Sequence, residues 1–158
     1  MNDNRALFQF TPEDFGSIED HIQKWRFDVD VLPDVRILNA ATGRAVHDVL
    51  SRYVSDHDYY ALSEHYVTAV EECDASRDDA AVAFWLRRHD TDATQDVLVS
   101  HGSAGVYVVT WGLFCEHWSS FCHPASDDVV ISPLSESWVL MYYHEEIFFW
   151  AKVVQRVS

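Results

Sequence analysis

Positive charge is what this 158-residue chain most lacks. Two lysines and nine arginines stand against 26 acids, a formal net charge of −15, and residues 89–151 contain neither Lys nor Arg over 63 consecutive positions. An average composition would place roughly seven basic side chains in such a span. A field of this sign repels nucleic acid and anionic membrane surfaces and attracts cationic proteins, so direct nucleic-acid and membrane binding are not expected. Salt adaptation also replaces lysine with acids and is an alternative source of the charge. It does not call for six Trp and nine Phe.

Long apolar runs are missing too, and none approaches the roughly 18 residues of a membrane span. Met1-Asn2-Asp3-Asn4-Arg5 is not a basic leader followed by an apolar stretch, so a cytoplasmic location is expected. Cysteine is scarce and odd in number: Cys73, Cys115 and Cys122 are expected to stay thiols in a reducing compartment. The chain has no Gly-x-Ser-x-Gly elbow, no phosphate-binding glycine loop and no His-Glu-x-x-His pair, the usual traces of a hydrolase or nucleotide enzyme. No cofactor and no metal are expected.

What is present is core material. With 48% hydrophobic residues, one domain over 1–158 can be stable without disulfide or metal. Thr11-Pro12-Glu13-Asp14 has the order of a helix start: capping hydroxyl, proline at the first helical position, then acids at the positive dipole end. From there Ile18, Ile22 and Trp25 share a face at helical spacing and read as a core stripe. A second helix is expected over about 40–54, with Ala41, Ala45, Val49 and Tyr53 recurring every four residues. A third spans about 58–73, with Tyr59, Leu62, Tyr66, Val70 and Cys73 inward and an acidic outer face.

Alternation of Val82, Phe84 and Leu86 with Ala83, Trp85 and Arg87 reads as a strand, although an amphipathic helix fits nearly as well. Strands are expected at 96–100 and 105–110, separated by the turn signal His101-Gly102-Ser103-Ala104-Gly105. Trp111, Phe114, Cys115, Trp118, Phe121 and Cys122 recur at the spacing of one helical face, so 111–122 is expected to be a buried helix ended by Pro124. A short strand at 127–132 and a hairpin of 137–143 with 147–154, turning at His144-Glu145-Glu146, close the chain. Both hairpin faces are apolar, so one packs on helices and the other is covered or awaits a partner. Helices first and strands mostly later give an α+β fold, with a helical N-terminal half packed on a mostly antiparallel C-terminal sheet.

Three constellations invite chemistry. Cys115, His117, Cys122 and His123 contain zinc-ligand types, but on a helix His117 projects some 200° away from Cys115, so the cysteines read as core residues. Residues 89–96 alternate oxygen ligands as a calcium loop does, yet Gln95 and His101 stand where such a loop needs glycine and glutamate. His144 with Glu145 or Glu146 would supply a general acid and base if they lined a cleft; a polar hairpin tip is the simpler reading.

Thr110-Trp111-Gly112-Leu113-Phe114-Cys115-Glu116-His117-Trp118-Ser119-Ser120-Phe121-Cys122, with Asp127-Asp128 and then Ser137 to Glu146, resembles a pattern of small bacterial proteins, some of which are similar to cytosolic immunity proteins of polymorphic toxin systems. The likeness covers roughly the last third and rests on structural aromatics. It implies an inhibitor whose partner is a basic protein, a cognate toxin domain such as a nuclease. Charge complementarity with such a partner gives a fast, salt-sensitive association. Candidate contacts are Glu64, Glu71, Glu72 and Asp74 on the expected third helix, or Asp127, Asp128, Glu136, Glu145 and Glu146 near the hairpin. Two other functions stay open: a nucleic-acid mimic that inhibits a DNA- or RNA-binding protein, and a small hydrolase using His144 with Glu145 or Glu146.

Overall fold

A seven-stranded antiparallel sheet runs through the computed structural model, which describes residues 8–55 and 62–154. Strand β1 (Arg36–Ile37) precedes helix α1 (Ala40–Leu50) and strand β2 (Val67–Asp74); helix α2 (Asp79–His89) leads to β3 (Asp96–Ser100) and β4 (Val106–Thr110). Helices α3 (Trp111–Glu116) and α4 (Trp118–Phe121) come next, then β5 (Val129–Pro133), β6 (Trp138–Tyr143) and β7 (Ile147–Val153). The spatial order is β1-β4-β3-β5-β6-β7-β2. The fold is α+β, as the element pattern implies.

Both faces of the sheet are covered, which explains why the closing hairpin is apolar on both sides. Side chains alternate across a strand. Val97, Val99, Val109, Ile131, Leu140 and Phe148 point into one core with α2, α3 and α4; Leu98, Val108, Val130, Val139, Met141 and Phe149 point into the other, beneath α1 and Tyr53. The expected division into a helical first half and a sheet second half is not what forms. Strands β1 and β2 come from the first half, three helices come after residue 78, and the sheet is sandwiched rather than covered from one side.

The strands expected at 96–100 and 105–110 form in register, and the hairpin forms as read, from Trp138↔Lys152 to Tyr143↔Ile147. The aromatic segment 111–122 also behaves as read, since Trp111, Phe114, Cys115, Trp118, Phe121 and Cys122 are all at most 5% exposed. It is two helices rather than one, because His117 leaves helical geometry between α3 and α4. The indoles are anchored: Trp111 donates to the Asp90 carbonyl and Trp138 to the Asp90 carboxylate. The acidic loop around Asp90 is thus a fastening for the core.

Four expectations change. Helix α1 forms and is capped by Asn39, which accepts from the Thr42 N–H at 2.8 Å, but its buried face is Gly43, Val46 and Leu50. Residues 79–89 are helix α2, not a strand; Val82, Ala83 and Leu86 are buried at i, i+1 and i+4 while Phe84 faces out. The basic last turn Arg87-Arg88-His89 complements the helix dipole, a feature that alternation alone ignores. The helix expected over 58–73 is strand β2 from Val67 onward; positions 58–61 lie outside the described residues. A bulge between Thr68 and Glu71, with Ala69 at φ 56°, spoils the alternation that would have marked a strand.

The fourth change concerns residues 11–35. Thr11 takes the N-cap position as expected, and its N–H donates to Asp14 Oδ2 at 2.8 Å. The helix then stops after one turn. Single 3-10 turns at 12–14, 18–20, 24–26 and 32–34 each end in an extended residue, Phe15, His21, Phe27 and Val35. With about three residues per turn and a break after each, a stripe of period 3.6 cannot share one face. This strap lies across the sheet edge, and its anticipated core stripe dissolves: Ile22 is 83% and Trp25 70% exposed.

Candidate functional site

The missing counter-charges of residues 89–151 arrive from the first third of the chain. Arg26 on the strap donates to both oxygens of Asp127 at 2.7 and 3.2 Å, with side chains only 7% and 9% exposed. Arg52, just after α1, reaches Glu136 Oε1 at 2.6 Å, and the Tyr53 hydroxyl donates to the same oxygen at 2.7 Å. Arg36 pairs with Asp96 at 3.0 Å. Two carboxylates expected to meet a partner, Asp127 and Glu136, are therefore engaged inside the protein. Glu136 adopts φ 54°, a conformation disfavoured for a residue with a Cβ, while it makes these bonds.

Burial acting alone would raise the Asp127 carboxyl, but the Arg26 guanidinium and the His123 N–H outweigh it and hold it below its ordinary value. Beside it, the His101 side chain is only 3% exposed, its Nε2–H donating to the Phe121 carbonyl. Burial lowers the His101 pKa, and it does the same for His89 and His123. A folded imidazole held below its ordinary 6.5 takes up a proton later than the unfolded chain does, so its contribution to stability is complete above that value and is lost as pH falls through it. We expect the urea midpoint to drop between pH 7.5 and about 5.5, and the drop to shrink in His101→Gln. An unchanged pH dependence in that variant would exclude His101 as its source. Asp127 adds a second contribution to stability, fully present above the ordinary carboxyl value of 3.8 and lost as pH falls below it and the folded carboxylate protonates.

The Arg52 pair is shallower. Burial pushes the Tyr53 hydroxyl up to about 12, keeping it a donor to Glu136 at any physiological pH. Arg52→Ala is expected to cost about 1.5–3 kcal/mol, measured by urea unfolding, because it strips a charge-assisted bond from a mostly buried carboxylate.

The other anticipated contacts sit on two separate surfaces. Glu71, Glu72 and Asp74 are exposed on β2 and Glu64 on the turn before it; Glu71 Oε2 lies 3.3 Å from His89 Nδ1, and Asp74 caps the Ser76 N–H at 2.9 Å. Glu145 and Glu146 lie at the β6–β7 tip. Asp128 accepts from both the ring Nδ1 and the backbone N–H of His144 at 3.0 Å. The carboxylate partner of His144 is thus Asp128, not Glu145 or Glu146. The pair borders a groove of about 400 Å3 with His47, Met141 and Tyr143, and among the described residues its lining contains no serine, threonine or cysteine. Burial raises the thiols of Cys115 and Cys122, Cys115 to about 12, as suits core residues. No cluster of three or more His, Cys, Asp or Glu able to hold a metal occurs among the described residues, and among them no helix is long and apolar enough to cross a membrane.

A surface that the sequence reading missed is the strap. It displays Ile22 (83% exposed), Trp25 (70%) and Val29 (81%). The strap also contributes Asp28, Asp30 and Asp34 to a cleft of about 1030 Å3 that Glu116 borders as well, with Val31 and Leu113 among its apolar lining. The guanidinium that borders it among the described residues, Arg36, is already paired with Asp96. The strap is fastened by the buried Arg26 pair, by Phe27 packed on Phe121 and Tyr107, and by His21 Nε2–H donating to the Ala104 carbonyl at 2.8 Å. Trp25 itself rests near the His123 ring, with centroids 5.8 Å apart. A solvent-exposed aromatic on a strap that also carries Asp28, Asp30 and Asp34 has the composition of an interface anchor. Asp28-Val29-Asp30 was the available signal, because an apolar residue bracketed by two acids is poorly suited to burial.

Comparison with protein-family models, with curated proteins and with solved structures finds no match for this chain.

Proposed function

We propose that this chain is an acidic, cytoplasmic inhibitor of the immunity type, which binds a cationic toxin domain such as a nuclease and neutralises it. The observation that carries this reading is the strap, which holds Ile22, Trp25 and Val29 in solvent and contributes three carboxylates to a cleft that Glu116 also borders. Apolar anchors give affinity once desolvated, and the surrounding acids steer a basic partner and reject acidic ones. A nuclease toxin must be basic to hold phosphates, which makes it a natural complement. The exposed carboxylates of β2 and of the β6–β7 tip add to the same long-range field.

A hydrolase reading has less support, because the described lining of the groove beside the His144–Asp128 pair has no serine, threonine or cysteine. The mimic reading calls for acids spaced like phosphates along one elongated face, and the exposed acids here fall into separate groups.

The test is co-expression with the basic domain encoded beside this gene, followed by titration calorimetry. Rescue of growth and a Kd that weakens at least about tenfold between roughly 50 and 500 mM salt are expected. Absence of a basic neighbour product, or affinity indifferent to salt, would sink the proposal.

A further inference from the structure

Strands β3 to β7 are buried along most of their length, and the edge strand β1 has only two residues. Strand β2 is the exception. Thr68, Ala69, Val70, Glu71 and Glu72 are exposed in succession, Val70 at 48%. The bulge at Ala69 interrupts the alternation within this run; beyond it Glu71, Glu72 and Asp74 are exposed, while Cys73 between them is buried in the core. Its one strand partner among the described residues is β7. With no further strand along its outer edge among the described residues, this eight-residue strand offers backbone donors and acceptors to another chain.

We propose that residues 71–74 of β2 receive an extended, cationic segment of a partner protein as an added strand. Register decides which groups are offered. The Ala75 N–H donates to the Glu146 carbonyl at 2.7 Å; with the two-residue period of an antiparallel ladder, Cys73 and Glu71 likewise direct their backbone groups to β7. Glu72 and Asp74 therefore direct theirs to the open edge. Their side chains, two positions apart, share one face.

Charge chooses the occupant. Glu71, Glu72 and Asp74 lie on the strand and Glu64 just before it, with no Lys or Arg between Arg52 and Arg77; Arg77 lies near enough to help lower the Asp74 carboxyl, after the Ser76 hydroxyl and N–H, leaving an excess of acids. A second copy would set carboxylate against carboxylate, and the bulge at Ala69 shortens the straight edge available to it. A segment with Lys or Arg at alternate positions opposes Glu72 and Asp74 and makes the same backbone bonds. The inference rests on the cationic-partner reading only for the charge of this segment.

The test uses the full chain and an acetylated, amidated peptide of about eight residues alternating lysine and valine, with amide hydrogen exchange followed by NMR. At saturation the Glu72 and Asp74 amides are expected to slow by about tenfold or more, while those of Glu71 and Cys73, already bonded, change little. Glu72→Pro removes an outward donor but no bond to β7 and is expected to abolish the effect; Glu72→Gln only weakens it. The same peptide N-methylated at alternate residues should fail. Binding without protection at 72 and 74, or equal binding of the N-methylated peptide, would reduce the interaction to adsorption and overturn the inference. Protection without peptide that disappears on dilution would assign the edge to a second copy and overturn it too. Trp25→Ala should leave peptide protection intact, so loss of the cationic-partner reading and loss of this one are separable.

Discussion

Asp127→Ala is expected to lower stability by about 3–5 kcal/mol, a large part of the roughly 5–15 kcal/mol available to a domain of this size. The variant leaves the Arg26 guanidinium, 7% exposed, without its carboxylate. A buried uncompensated charge is costly even where the intact pair contributes little net stability. Arg26→Met should cause a comparable loss for the converse reason, and Arg26→Lys should recover only part, because an ammonium cannot reproduce the two-pronged contact at 2.7 and 3.2 Å. The double variant Arg26→Met/Asp127→Leu is expected to be more stable than either of these single changes. Urea unfolding of the set checks this; strictly additive losses would show that the two side chains act independently. Because the pair spans 101 positions, the variants should also loosen the strap, seen as faster amide exchange at residues 18–34.

Trp25→Ala is expected to leave the urea midpoint nearly unchanged while weakening the cationic partner by about 2 kcal/mol or more, roughly thirtyfold in Kd. The indole is 70% exposed in the free protein, so folding gains little from it. Binding gains its whole desolvation. Double charge reversals map the acids around it: Asp28→Lys/Asp30→Lys should slow association and flatten the salt dependence, whereas reversal of Glu71 with Glu72, or of Glu145 with Glu146, should have smaller effects if the strap is the principal face. Retained affinity in Trp25→Ala, with loss upon reversal of either of the latter pairs, would move the interface to β2 or to the hairpin tip.

The strands and the aromatic helices were legible because their signals are local. Val106 to Thr110 is β-branched or aromatic at each position and is followed by a spaced aromatic face. The hairpin needed only two apolar runs and a polar turn. The strap was not legible: Ile18, Ile22 and Trp25 match a helical stripe, and nothing in the spacing reveals that Arg26 is drawn to Asp127 and Phe27 to Phe121, which fix a different backbone path. Strand β2 was read as a helix because its bulge and its exposure erase alternation. Of the anticipated contact residues, Asp127 and Glu136 look from the sequence like any other acids; only the approach of Arg26 and Arg52 sets them apart.

By itself the sequence determined the net charge of −15, a core rich in aromatic side chains and the positions of most central strands. These follow from composition and from periodicities of two and 3.6 residues, which operate within one element. The tertiary structure alone decided which charges remain available. Residues 89–151 contain no Lys or Arg, yet Arg26, Arg36 and Arg52 reach across 60 to 101 positions to neutralise Asp96, Glu136 and Asp127. Ion pairing depends on distance in space, and one-dimensional spacing has no term for it.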